Sequence, residues 1–288
     1  MRVLTIFTRF GTEKYPTAER ELADLFDTQM ADVDRDVVVV DTALAAGHVE
    51  QSERRILLGS DNVSWEFSAV DTALAFIGSR LWAYDIINIA TSAFRQLHVG
   101  YLPRFRPSIL EAVARRVVCL GHIDCYNEPI GVLDFASQHW MRTSCFFLPP
   151  TELGILGTVQ SAGSRERWFS GDPSRPFRED APLSTNFQRL IIEWLTGRDI
   201  GQGVIWHSGI TLDADRLTFF EQKALTILNE HLLSARLRAA GCRLIDVTWL
   251  SSRLRNSDAI DWQTPWWEQT ANREADAVRV TPGRAVEC

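Results

Sequence analysis

Arg55-Ile-Leu-Leu-Gly59, Ser60-Asp-Asn-Val-Ser64, Trp65-Glu-Phe-Ser-Ala-Val-Asp-Thr-Ala-Leu-Ala-Phe-Ile77 and Tyr84-Asp-Ile-Ile-Asn-Ile-Ala90 follow one another within the stretch from Arg54 to Phe94, and their order decides the fold. The first is a short apolar run ending in Gly, and the second is a polar loop. The third carries apolar residues at helical spacing. The fourth is a second buried-strand candidate ending in Thr91-Ser-Ala-Phe94. Strand, loop, helix and strand make a βαβ unit. Such units gather polar groups at the carboxyl ends of parallel strands, where α/β sheets bind ligands, and a nucleotide or sugar would sit there.

Working outward, Arg2 to Thr8 reads as a first strand and Thr17 to Met30 as a helix with Leu22, Leu25 and Phe26 on one face. Asp36-Val-Val-Val-Val-Asp41 is a β-branched run, the pattern of a strand buried on both faces of a parallel sheet. The first 95 residues therefore read β-α-β-(α)-β-α-β. This predicts a single, mostly parallel sheet flanked by helices, with a Rossmann-like nucleotide-binding half. Further on, Val117 to Gly121 reads as a strand, His122 to Pro129 as a polar turn, and Trp140 to Leu148 as one strand stopped by Pro149-Pro150. Ser161 to Pro182 reads as a long surface loop. Helices are expected at Leu183 to Thr196 and Asp215 to Ala240, the second with an apolar stripe that packs on the sheet. In that helix Lys223 and Glu230 fall on the polar side, and Asn229-Glu-His231 reads as structural. The organisation is one domain over 1–271: a nucleotide-binding half (1–95), an acceptor half (96–195) and a helical C-terminal part (196–271). A flexible tail is expected over 272–288.

Composition narrows the classes. A chain of 288 residues with 45% apolar and 23% charged residues has the make-up of a soluble globular protein. A net charge of −7 argues against a nucleic-acid partner, which favours a basic surface. Cys119, Cys125, Cys145, Cys242 and Cys288 are odd in number and lack CxxC spacing, as expected of free thiols in a reducing compartment. The amino terminus is too short for a signal peptide and no run of about 18 apolar residues exists, so the expected location is cytoplasmic. No HxH, HExxH, GxSxG, Walker or GxGxxG pattern occurs, so no metal ligand set is assigned and no cofactor is expected. The ten Trp residues supply packing, with docking the expected role of Trp262, Trp266 and Trp267.

The order of elements over residues 1 to 195 resembles a nucleotide-sugar-dependent glycosyltransferase of the GT-A fold, nearest the large family-2-like group. Gly59-Ser-Asp-Asn62 with Glu66-Phe67 is similar to the Asn-containing loop that seats the nucleotide there. The following strand end normally carries an aspartate-rich DxD signature, and here it reads Ala90-Thr-Ser-Ala93. A DxD pair holds a divalent metal that neutralises the leaving diphosphate. Without it, the phosphates would meet backbone amides, hydroxyls such as Thr91 and Ser92, or cations such as Arg142. The resemblance thus implies a metal-independent enzyme, or a chain that is no glycosyltransferase. It places the donor at Thr8, Phe10, Asp41, Ser60, Asp61, Asn62, Glu66, Thr91 and Ser92. It places the acceptor, a glycan or lipid-linked hydroxyl, at His122, Trp140, Arg142 and Thr143. It puts the catalytic base at Glu179 or Asp180, with Asp124 in reserve. Glycan assembly would allow peripheral contact with the inner face of a membrane.

Simpler roles compete. Asp61 and Asn62 suit a turn, and Glu179-Asp180 suits a helix N-terminus. Glu66, between Trp65 and Phe67, is less typical of a surface helix. His122 and Asp124 also fit a polar turn. Two other functions stay open: a non-catalytic nucleotide- or glycan-binding domain of the same fold, and an unrelated α/β enzyme acting on a phosphorylated small molecule.

Overall fold

The computed structural model describes residues 1–96, 99–201, 205–206, 208–271 and 273. Apart from Arg273, the expected flexible tail lies outside the described residues, as does Cys288. The chain runs β1 (Arg2–Arg9), α1 (Ala18–Gln29), β2 (Asp34–Asp41), β3 (Val49–Gln51), β4 (Arg55–Gly59), α2 (Glu66–Ile77) and β5 (Ile86–Thr91). It continues with α3 (Pro107–Val113), β6 (Val118–Gly121), β7 (Ile123–Val132), β8 (Phe135–Met141), β9 (Cys145–Leu148), α4 (Pro150–Leu156) and α5 (Thr185–Leu195). It ends with α6 (Leu217–Ala239), β10 (Arg243–Asp246), α7 (Val247–Arg255) and α8 (Trp266–Thr270).

Eight strands form one mixed, mostly parallel sheet in the order β10-β6-β9-β5-β1-β2-β4-β3. β1 pairs in parallel with β2 on one side and β5 on the other. Alternate residues of each strand feed opposite faces, as the two-residue period of a strand requires. Val3, Phe7, Val39, Ile86 and Phe147 pack under α1, α3 and α7. Leu4, Ile6, Val38, Val40 and Ile89 pack under α2, α4 and the end of α6. Burial on both faces explains why β2 reads as an unbroken valine run.

Several details depart from the sequence expectations. No helix lies between β2 and β4. The chain instead forms the edge strand β3, antiparallel to β4. Gly59 permits this, because a Cβ there would stand 2.0 Å from the Ala45 carbonyl oxygen. The expected turn after Gly121 is strand β7, and the expected single strand from Trp140 is split between β8 and β9. Tyr126, Ile130 and Val132 need a second apolar surface, which β7 and β8 provide as a separate antiparallel ribbon, while Ile123 packs into a core of the main sheet. The segment Ser161 to Pro182 is irregular yet well packed. Trp168 is wholly buried and its Nε1 donates to the Ala162 carbonyl at 2.8 Å. α6 packs beyond one apolar stripe: Phe220, Ala224 and Leu228 face the ribbon and α5, while Leu233 and Leu237 face the main sheet. The C-terminal part is helical as expected, in α6, α7 and α8, but it also contributes strand β10 to the sheet. Trp266 stacks on His139 at 5.0 Å between ring centres and Trp262 packs on the first core, whereas Trp267 stays 58% exposed.

Asp246 ties the C-terminal part to the sheet. Its buried carboxylate accepts from Thr248 and Trp249 as the N-cap of α7, from the Ile123 amide, and from Arg273 Nη2 at 2.7 Å. Burial pushes this carboxyl up, against the opposing pull of Arg273 and the amides. Replacing Asp246 by Ala removes the cap and the ion pair with Arg273, which should cost about 3 kcal/mol in urea unfolding. Asp246→Asn should cost less, because its side-chain oxygen can still cap the helix.

Candidate functional site

The switch in strand order at β1 positions the site. The chain passes from β1 to β2 through α1 on one face and from β4 to β5 through α2 on the other. The helices diverge, and a crevice opens beyond the carboxyl ends of β1 and β5. A cavity of about 540 Å³ occupies it. Thr8, Arg9 and Phe10 enter from β1, and Thr91 and Ser92 from β5. Because β9 runs antiparallel to β5, its beginning lies at the same edge. The Thr91 amide donates to the Ser144 carbonyl at 3.0 Å, and Arg142 and Thr143 reach the cavity as a result. Asn62, Trp65 and Glu66 contribute the start of α2. One side of α6 closes the space with Phe219, Lys223, Thr226 and Glu230.

Two ionisable groups of α6 have shifted affinities for protons. Lys223 Nζ lies 4.1 Å from the centre of the Trp65 ring. Burial lowers its pKa, and the nearby Glu66 carboxylate partly restores it. Glu230 Oε1 accepts from the Thr143 amide at 2.7 Å and from its hydroxyl at 2.9 Å. Burial raises the Glu230 carboxyl, while Arg142 and the Thr143 bonds pull it back. Desolvation thus destabilises the charge on both groups. Among the described residues lining the cavity, Glu66 and Glu230 carry the carboxylates, against the cations Arg9, Lys14, Arg142 and Lys223. Trp65 has φ +52, a region a bulky residue rarely occupies, and its ring sits 6.0 Å from that of Phe219. Thr8 is buried, and its Oγ1 has no hydrogen-bond partner among the described residues.

A side pocket of about 80 Å³ adjoins this cavity and shares Arg142, Ile227 and Glu230 with it. Asp124, Tyr126, Trp140, Trp194 and His231 line it as well, together with aliphatic residues of α5 and the chain after it. Arg142 Nη1 donates to Asp124 Oδ2 at 2.7 Å.

Comparison of the chain with protein-family models, with curated proteins and with solved structures gives no match in any of the three. The chemistry of the site must be argued from its own residues.

The structure gathers some sequence-derived positions and separates others. Thr8, Phe10, Asn62, Glu66, Thr91, Ser92, Arg142 and Thr143 line the cavity, and Asp124 and Trp140 line the side pocket. Asp41, Ser60 and Asp61 support it from outside. Ser60 Oγ meets Thr72 Oγ1 at 2.6 Å, and Asp61 holds the turn before α2 through the Val63 amide. His122 is buried against Tyr101, with ring centres 5.1 Å apart, and lines neither space. Glu179 and Asp180 do not approach the cavity: their side chains are 92% and 72% exposed, and Asp180 is bound by Arg178. An expected base there has no enclosed space to act in. Lys223, read from the sequence as part of the helix's polar side, and Glu230 and His231, within a stretch read as structural, line the two pockets. The signal was present in the spacing: Gln222, Lys223, Thr226 and Glu230 form a polar stripe along a helix that is otherwise mostly apolar.

Asp41 orders the loop after β1. Its carboxylate accepts from the Gly11 amide at 2.8 Å, the Ala43 amide at 3.0 Å and Arg9 Nε at 2.7 Å. Burial pushes its pKa up, but these bonds outweigh that and hold it below the ordinary value. A depressed folded pKa contributes stability above the unfolded pKa and loses it as pH falls through the folded one. Asp41→Asn should therefore cost about 1–2 kcal/mol at pH 7. The gap from the parent protein, followed by urea unfolding, should narrow below about pH 4.

Proposed function

We propose that this protein is a glycosyltransferase that moves a sugar from a nucleotide-sugar donor to a hydroxyl of a glycan or lipid-linked acceptor. The observation that carries the reading is the cavity at the β1–β5 switch point, which combines cations, hydroxyls and carboxylates with aromatic walls. Its size suits a nucleoside diphosphate with an attached sugar. Thr91 and Ser92 stand at the end of β5, and Arg142 and Lys223 supply positive charge in the same space. In this reading those cations meet the diphosphate without requiring a metal, and they stabilise the charge that grows on it as it leaves.

Glu230 takes the role of base in place of Glu179 or Asp180. A carboxylate whose pKa is raised by burial holds a proton more strongly than an exposed one, which suits it to remove the acceptor proton. The acceptor oxygen bonds to the anomeric carbon and the bond from that carbon to the diphosphate breaks. The proton passes to Glu230. Glu230 lines both the cavity and the side pocket, and in this reading it stands between the donor in the first and the acceptor in the second. Residue by residue, donor contact falls to Thr8, Asn62, Glu66, Thr91 and Ser92, and acceptor contact to the Arg142 side. Contact with the inner face of a membrane, by way of a lipid-linked acceptor, is part of the proposal; no described helix is long and apolar enough to cross a bilayer.

A thermal-shift screen against UDP, GDP, CMP and TDP and their sugars, each with and without manganese, tests the donor site. One nucleotide series should stabilise the protein equally in both conditions. Stabilisation by none of them overturns the reading, and stabilisation only with manganese overturns its metal-independent form. With the donor known, Glu230→Gln should reduce transfer at least about 100-fold while the nucleotide shift persists. The acid limb of the rate profile should lie above the ordinary glutamate range of about 4.3 and follow ionisation of Glu230. Equal rates in the two proteins would remove Glu230 from the mechanism. Lys223→Met should weaken nucleotide binding about 10-fold or more, read as a smaller shift at fixed ligand.

A further inference from the structure

Two of the 30 lysine and arginine residues in the chain are lysines, Lys14 and Lys223, and all the others are arginines. Far apart in sequence, the two lysines line the same cavity. Lys14 follows β1 and is exposed, with Nζ 5.3 Å from the centre of the Tyr15 ring. Lys223 comes from α6 and is half-buried, with Nζ over the Trp65 ring. The arginines that share the cavity are already answered by carboxylates. Arg9 pairs with Asp41 and Glu19, and Arg142 with Asp124, whereas neither lysine has a salt bridge among the described residues.

For holding an anion, arginine would serve these two positions at least as well, since its fork of donors fits phosphate oxygens. An amine differs in being able to give up its proton and attack as a nucleophile, which a guanidinium does not do. The surroundings of Lys223 favour that form. Burial lowers its pKa, Glu66 opposes the change, and the charge of Lys14 adds to it. An amine on an apolar surface beside a second cation is the arrangement that activates lysine. The charged groups that face it across the cavity are Arg9 and Lys14 from β1 and its loop, Glu66 from α2 and Arg142 from the turn before β9, with Glu230 on α6 itself.

We infer that Lys223 is a nucleophilic amine that forms an imine with a phosphate-bearing aldehyde or ketone, while Lys14 receives the phosphate. The nitrogen lone pair bonds to the carbonyl carbon, and the π pair of the carbonyl moves to its oxygen. Glu66 takes a proton from the nitrogen and passes it to that oxygen, which gives a carbinolamine. Its hydroxyl then leaves as water with the remaining nitrogen proton, and the carbon–nitrogen double bond forms. One amine and one carbonyl thus give one imine and one water, with no oxidant or reductant. Imine formation is separate from sugar transfer: it needs the two lysines and Glu66, and no nucleotide.

Pyridoxal phosphate is the test probe, with pyridoxal as the same aldehyde lacking the phosphate. Each is incubated with the protein, the imine is reduced with borohydride, and the labelled residues are mapped by mass spectrometry. Pyridoxal phosphate should label Lys223 at least about 10-fold faster than Lys14. The rate at Lys223 should reach half its maximum below the ordinary lysine value of about 10.4. Relative to the amino terminus, Lys223 should react at least about 10-fold faster with pyridoxal phosphate than with pyridoxal. Lys14→Met should remove that preference for the phosphate. Lys223→Arg keeps the cation and should lose the imine absorbance seen before reduction. Labelling of Lys14 as fast as Lys223, or a rate at Lys223 indifferent to the phosphate, overturns the proposal. Should either variant fail to fold, the two probes on the parent protein decide.

Discussion

β1 is hydrogen-bonded along both edges to strands that run in its own direction, and the rest of the molecule is arranged around that constraint. A parallel neighbour can be reached only by a crossover, and crossovers of one hand leave on opposite faces when they lead to opposite sides. α1 and α2 therefore diverge, and the strand ends between them are left uncovered. The reversal of β9 adds to the effect. An antiparallel strand inserted beside β5 begins where its neighbours end, which brings Arg142, Thr143 and Ser144 to the open edge. Residues far apart in sequence meet there because of strand direction alone.

α6 turns this crevice into an enclosed space. It is buried along two sides, against the main sheet and against the ribbon with α5, and Gln222, Lys223, Thr226 and Glu230 on its remaining side line the cavity. Removing that side from bulk water moves Lys223 and Glu230 in opposite directions, the amine towards a lower pKa and the carboxylate towards a higher one. Both shifts have one cause, the loss of water around the charged forms. The Thr143 bonds to Glu230 and the contact of Lys223 with the Trp65 ring fix the two groups on different strands and loops. Helix and sheet edge thus position each other.

The ribbon of β7 and β8 has a different origin. Its apolar residues cannot all reach the main sheet, and they find a third core with α5, α6 and the segment around Trp168. Arg165 pairs there with the buried Glu221, and Asn229 accepts from the Ser161 and Ala162 amides. These contacts anchor a stretch that would otherwise be a long loop. They also hold α6 at the height where His231 enters the aromatic cage and Glu230 the shared wall.

Period and composition made the sheet legible. Val37 to Val40, Ile56 to Leu58 and Ile86 to Ala90 are runs that only a doubly covered strand accommodates, and their spacing with α1 and α2 fixes parallel order. From that order, Thr8, Asn62, Glu66, Thr91 and Ser92 could be placed at strand ends, because a parallel sheet puts its ligand edge there. Partners that meet across the chain were not legible. Glu179 and Asp180 had the right chemistry beside a helix, but nothing local shows that their side chains stay in solvent. Lys223, Glu230 and His231 looked like the ordinary polar side of a helix, since a sequence gives the stripe and not what it faces. Asp41 and Asp246 gained their partners only through packing, from Gly11 and Arg9 in one case and Ile123 and Arg273 in the other. The sequence by itself determined an α/β sheet and which residues stand at its carboxyl edge, because hydrophobic period is a local property. Only the tertiary structure decided which charges share that space, because burial and pairing depend on segments more than a hundred residues apart.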